Sequence, residues 1–249
     1  MWTDAATLVD AGSAGDWIRE RLRPPDASVG SVTPTGFETC VRILHGLEWR
    51  GRPARGADVA SEVGKTMHPL VQFRALAAHP SEHGEPFEGG LTVAEVTALS
   101  EALERHTTTP DDVWFALWNG FGQLNDGGSS WLVASDGGET VESAPALLTA
   151  AERGAATLSM PMGRDYFVFR GPLSAIAPLT QQGVWEQSPN LWWPADRAWC
   201  VATEIDFDST LVSCSLSVAT DLLNDPRFEA FEVDWSDSLM WNADTVNLD

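Results

Sequence analysis

Apolar positions recur along this chain at two periods, one near 3.6 residues and one of two. After Thr92 and Glu95, the residues Val93, Val96, Leu99 and Leu103 form a stripe on one helical face, and Thr92 with Glu95 has the spacing of a capping box. This predicts a helix running to His106. A shorter helix is expected where Ser13 and Asp16 form an acidic variant of the same box. There Trp17, Ile18 and Leu22 follow at helical spacing until Pro24 and Pro25 stop the run. A third helix is read at Val218 to Asn224.

Strict alternation marks the strands. Phe37 to Leu44 has Phe37, Thr39, Val41 and Ile43 on one face and Glu38, Cys40, Arg42 and Leu44 on the other. Val113 to Asn119 is apolar on both faces, as in a central strand covered on both sides, and Trp131 to Ser135 and Tyr166 to Arg170 read the same way. Ala198 to Asp206 is a longer strand. Trp199, Val201, Thr203 and Ile205 make its bulky face, while the other starts small with Ala198, Cys200 and Ala202 and ends acidic. Phe228 to Val233 is the last strand. Gly46 to Gly64 reads as an exposed excursion, Leu70 to Ala78 is ambiguous, and the Gly, Pro and Glu content of His79 to Gly90 marks a loop.

Helices and strands mix without a repeating βαβ spacing. The fold class expected is therefore α+β, a mixed or antiparallel sheet with helices packed on it, over residues 1–249 as one globular unit with a candidate internal boundary within 79–90. Twelve Trp and ten Phe among 249 residues require an aromatic-rich interior. The N-terminal residues lack the basic and apolar regions of an export signal, and no apolar run is long enough to span a bilayer. The odd set Cys40, Cys200 and Cys214 contains no CxxC pair and fits reduced thiols. A cytoplasmic location is expected.

The formal charge of −21 is uneven. Arg19 to Arg74 carries nine basic and six acidic residues, whereas Glu204 to Asp249 carries eleven acidic residues and only Arg227 as a base. Such a surface repels nucleic acid and anionic lipid and favours a basic protein partner or a cation. No nucleic acid and no membrane are expected as partners, and no motif calls for a cofactor.

Asp206-Phe207-Asp208-Ser209-Thr210 after an apolar strand resembles the first motif of the haloacid dehalogenase superfamily, in which two aspartates and Mg²⁺ transfer a phosphoryl group. Residues 211–249 offer one base and no acidic pair ending a strand, so the rest of that machinery is missing. In an extended chain Glu204, Asp206 and Asp208 would point the same way and could hold a hard cation, the basis of an alternative reading as a small metal-dependent hydrolase. His79 to His83 spells H-x-x-E-H, but Gly84 and Pro86 would end any helix that carried it. The glycines at 120, 122, 127, 128, 137 and 138 lack phosphate-loop spacing and read as turns.

Ser188 to Trp199 places Trp192 and Trp193 between Pro189 and Pro194, with Asp196 and Arg197 able to pair or cap locally. A stiff aromatic loop of this kind suits recognition. The candidate binding residues are thus Trp192, Trp193, Asp196, Arg197, Glu204, Asp206 and Asp208.

Asn190 to Asp206 (NLWWPADRAWCVATEID), with Phe115 to Gly122 (FALWNGFG) and Tyr166 to Leu173 (YFVFRGPL), resembles a set of uncharacterised actinobacterial proteins over the C-terminal 140 or so residues. That likeness implies no activity. The aromatic strand followed by Asn-Gly, and the α+β order, are similar to the SUKH group of intracellular proteins, many of which bind and neutralise toxins as immunity proteins. The expectation is a non-catalytic acidic binding protein, of immunity type, that engages a basic partner.

Overall fold

The computed structural model describes residues 5–77, 84–125, 129–135, 138–180 and 186–248. Nine strands form one antiparallel sheet: β1 (Thr7–Val9), β2 (Thr39–Leu44), β5 (Val113–Trp118), β8 (Leu158–Met160), β9 (Arg164–Gly171), β10 (Leu191–Pro194), β11 (Cys200–Ala202), β12 (Ser209–Cys214) and β13 (Glu229–Val233). The spatial order is β1-β9-β5-β10-β11-β12-β2-β13, with β8 pairing the start of β9 beside β1. The sheet is antiparallel throughout and carries helices, an α+β fold.

Alternation along each strand builds a core on both faces. On one, Val41, Ile43, Phe115, Leu117, Phe167, Phe169, Trp192, Val201 and Val212 pack against α5 (Val93–Glu104), α6 (Ile176–Thr180) and α7 (Leu216–Asn224) through Val96, Leu99, Ile176, Leu179, Val218 and Leu222. On the other, Ala116, Val168, Leu191, Trp193, Cys200 and Ala202 meet Trp17 and Ile18 of α1 (Asp16–Arg19). Farther along this face, Cys40 and Leu211 meet Val29 of α2 (Val29–Val32) and Leu239 of the C-terminal segment.

The capping box of α5 forms as expected, with Glu95 N–H donating to Thr92 Oγ1 at 3.3 Å and Thr92 N–H to Glu95 Oε2 at 2.8 Å. Ser13 caps nothing with its side chain: α1 starts after Gly15, and Asp16 pairs with Arg19. Residues 46–64 also depart from expectation. They fold into the hairpin of β3 (Leu47–Trp49) and β4 (Arg52–Ala54), turned at Arg50-Gly51 with positive φ at both, followed by α3 (Gly56–Val63). Leu47, Trp49, Val59 and Ala60 then bury against Val71, Phe73 and Leu76, the last two in α4 (Phe73–Leu76), which resolves the ambiguous stretch. Trp131 to Ser135 lies in a separate hairpin, β6 (Ser129–Ser135) with β7 (Gly138–Ala144), and not in the main sheet.

Residues 84–90 are tied to their surroundings rather than forming a free linker. Glu48 N–H donates to Glu85 O, Phe87 N–H to Gly46 O and Gly89 N–H to Phe207 O. Gly89 must be glycine: its φ is +78°, and a Cβ there would stand 2.5 Å from the Ile205 carbonyl oxygen. The His79 to His83 motif lies outside the described residues.

Candidate functional site

Trp192 and Trp193 are not in a loop. They form β10, flanked by β5 and β11, and each is 1% exposed. Pro194 is tolerated because it is the last residue of the strand, and Pro189 precedes it. Trp192 meets Trp199 edge-on at 5.2 Å, while Trp193 stacks on Trp114 at 6.3 Å and meets Trp17 edge-on at 6.2 Å. Neither indole is available to a partner. Asp196 does cap locally, accepting from Thr108 N–H at 2.6 Å and from the Thr107 and Thr108 hydroxyls. Burial opposes its charge, but these bonds hold the carboxyl below its ordinary range. Arg197 lies over Trp17 at 5.1 Å.

The strand carrying the carboxylates ends at Ala202, so Glu204, Asp206 and Asp208 do not line up. A turn follows, closed by Phe207 N–H to Glu204 O at 3.1 Å. Glu204 is buried and takes two bonds from Arg164, at 2.9 and 2.6 Å. Asp206, 71% exposed, accepts from the same guanidinium at 2.8 Å, and Asp208 faces Arg42 at 3.4 Å. Among the described residues no group of three or more His, Cys, Asp or Glu is placed to hold a metal ion.

Two of these residues, Asp206 and Asp208, open onto a groove of about 440 Å³ whose walls come from four separate segments. Gln72, Phe73 and Arg74 form one wall; Glu85, Pro86 and Glu88 a second; residues 206–208 a third; and Leu239, Met240 and Trp241 the fourth. Two buried polar side chains, Arg42 of β2 and His45 just after it, anchor the first two. The Arg42 guanidinium donates to Ser209 Oγ at 2.9 Å and to the carbonyls of Pro69 and Val71 at 3.0 Å each, fixing the chain that leads into α4. Its burial pulls the guanidinium pKa down, against Asp208, which pushes it up. His45 Nδ1 donates to Phe87 O at 2.6 Å, so Nε2 accepts from the Thr210 hydroxyl at 2.9 Å, and Thr210 in turn accepts from Thr203 at 2.8 Å. Burial pushes the His45 pKa down and favours this neutral form.

The fourth wall is strapped on. Asp244, 2% exposed, accepts from His68 Nε2 at 2.8 Å, Asn247 Nδ2 at 2.8 Å, Asn247 N–H at 2.9 Å, Val246 N–H at 3.0 Å and Gln72 N–H at 3.4 Å. Asn247 adds reciprocal bonds to Thr66, and Lys65 Nζ donates to Asn247 O. The strap turns Trp241 outward, 68% exposed, and Met240 beside it is exposed as well.

Glu85, Glu88, Asp206 and Asp208 thus face a space walled by Phe73, Phe207, Met240 and Trp241, with Arg74 the one cation among the described lining residues. Partial burial raises the Glu88 carboxyl above its ordinary range. The negative charges of Asp208, Glu85 and Asp206 raise it further, against a smaller opposing effect of Arg74. A carboxyl raised by its neighbours' negative charge sits where a cation is favoured. The aromatic contribution to the groove comes from Phe73, Phe207 and Trp241, not from the Trp192-Trp193 pair. No short motif contains the groove; its sequence trace is the acidity of the C-terminal third and the exposed Met240-Trp241.

Comparisons of the chain with protein-family models, with curated proteins and with solved structures return no match. Among the described residues, no helix is long and apolar enough to cross a membrane.

Proposed function

We propose that this chain is a non-catalytic cytoplasmic binding protein of immunity type, which engages a basic protein partner through the groove between residues 72–74, 85–88, 206–208 and 239–241. The observation that carries the reading is the convergence of four carboxylates, Asp206 and Asp208 paired with Arg164 and Arg42 and Glu85 and Glu88 not, on an open, apolar-walled groove in which Arg74 is the one cation among the described lining residues. A basic side chain entering there is attracted by the charge and covered by the rings, and the net charge of −21 steers the encounter. Rigid walls suit such a role, because the Arg42 and His45 networks fix them before the partner arrives.

The test is a calorimetric titration of a short lysine- and arginine-containing peptide at low ionic strength. Replacing Glu85 and Glu88 by Gln should weaken binding about tenfold, equivalent to about 1.4 kcal/mol. Replacing Glu104 and Asp111, which do not line the groove, by Gln and Asn removes the same charge and should change affinity less than about twofold. Equal effects of the two pairs would show that only net charge attracts the peptide, and the groove would lose its role.

A further inference from the structure

Imidazole changes charge near neutral pH, so a buried histidine that holds a surface segment can couple that segment to acidity. His45 is 3% exposed, and neutral partners take both ring nitrogens: Nδ1 donates to Phe87 O at 2.6 Å, and Nε2 accepts from the Thr210 hydroxyl at 2.9 Å. Thr210 accepts in turn from Thr203 at 2.8 Å, and both threonines are buried. A proton on Nε2 reverses this chain. Thr210 must then turn its O–H to Thr203, and the Thr203 O–H is left to find another acceptor in the interior.

Among the described residues no carboxylate bonds the ring to balance such a charge. Glu95 of α5 gives one oxygen to Gly46 N–H at 3.0 Å and the other to Thr92 N–H at 2.8 Å. Asp208, just before β12, faces Arg42 at 3.4 Å. Glu229 of β13 lines the same small cavity as His45, but it accepts from the N–H groups of Gly56 and Ala57 at 2.8 and 2.7 Å. Glu85 and Glu88 face the groove, and Arg42 repels a second cation. Burial prevails and holds the imidazole pKa below its ordinary value, against the Phe87 carbonyl, Glu95 and Asp208.

We propose that His45 is a proton-operated latch: neutral, it holds residues 85–88 as a wall of the groove, and protonated, it releases them. The proton comes from solvent and settles on Nε2 once the segment lifts. The closed state is therefore favoured above the ordinary imidazole pKa and loses ground as the pH falls below it. The latch acts whatever occupies the groove.

Amide hydrogen exchange on the full chain tests this, with protection expressed relative to the unstructured rate at each pH. The reporters are the Phe87 N–H, bonded to Gly46 O, and the Gly89 N–H, bonded to Phe207 O. Between pH 7.5 and 5.5 their protection should fall about tenfold, as expected when an opened imidazole of ordinary pKa takes a proton that the closed one refuses. Amides of β5 and β9 should keep their protection, which excludes global acid unfolding. Glu88→Gln removes the carboxyl of this segment that is raised above its ordinary range, and should leave the tenfold change in place. His45→Gln should abolish it. Should that variant fail to fold, ¹⁵N spectra of the wild-type ring decide: the Nδ1–H tautomer is expected at neutral pH, with a titration midpoint below about 6.5. Unchanged protection, a loss that persists in His45→Gln or vanishes in Glu88→Gln, or a ring that titrates at its ordinary pKa would each overturn the latch.

Discussion

Asp244→Asn is the most informative single change in the strap, because it keeps the shape of the side chain and removes the charge on which five hydrogen bonds converge. Burial acts to raise the Asp244 carboxyl, but the bonds from Asn247, His68 and Val246 outweigh it and hold the pKa at about 2, against 3.8 for the free side chain. That gap corresponds to at most about 2 kcal/mol. The folded-state pKa is depressed, so the stabilisation is complete above pH of about 4 and is lost as the pH falls towards 2. In the variant an amide N–H₂ must also face one of the donors that the carboxylate now satisfies. The expected result at neutral pH is a loss of about 2 kcal/mol, concentrated in the strap and in the chain it grips. Amide hydrogen exchange reads this directly: Thr66, Gln72, Val246 and Asn247 should exchange about 30-fold faster, while amides in β5 and β10 keep their protection. The acid limb of the unfolding curve should also flatten in the variant. Unchanged exchange at those four amides, or an unaltered acid limb, would refute the clamp.

Three further outcomes follow from the packing. Trp192→Ala and Trp199→Ala should each cost about 3–5 kcal/mol in chemical denaturation, and because the two rings touch, the double variant should lose less than the sum; a mild Trp192→Ala would contradict its place in the core. Arg42→Met leaves two carbonyls and Ser209 Oγ without their donor and should cost about 3–5 kcal/mol, read as a drop in melting temperature. Gln123→Met should stabilise the chain by about 1 kcal/mol, because both carboxamide atoms of Gln123 are buried without a partner among the described residues; a lower melting temperature would show that the amide is used.

What could be read from the sequence was whatever is local. The Thr92-Glu95 box announces α5, and the apolar runs of β5 and β9 announce central strands, because cap and period are encoded within a few residues. Trp192 and Trp193 misled because proline at both ends of a short run reads as a loop; only the pairing of Trp192 with Phe115 and Val201, from opposite sides, reveals an interior strand. Glu204, Asp206 and Asp208 do not form a row because extension ends at Ala202, and the chain turns there with Arg164 bonding both Glu204 and Asp206. Asp206 and Asp208 instead line the groove from the turn that follows β11. Their companions Gln72, Glu88 and Trp241 are separated from them by sequence distances that no periodicity spans, and the buried Arg42, His45 and Asp244 bring those segments together.

The claim that a cation enters this groove is tested most directly by locating the bound peptide. In a ¹⁵N chemical-shift titration with the short lysine- and arginine-containing peptide, the largest changes should fall on the amides of 72–74, 85, 87–88 and 206–208 and on the Trp241 indole. They should weaken together as salt is added. Shifts centred on another face, or spread evenly over the acidic surface, would contradict the account.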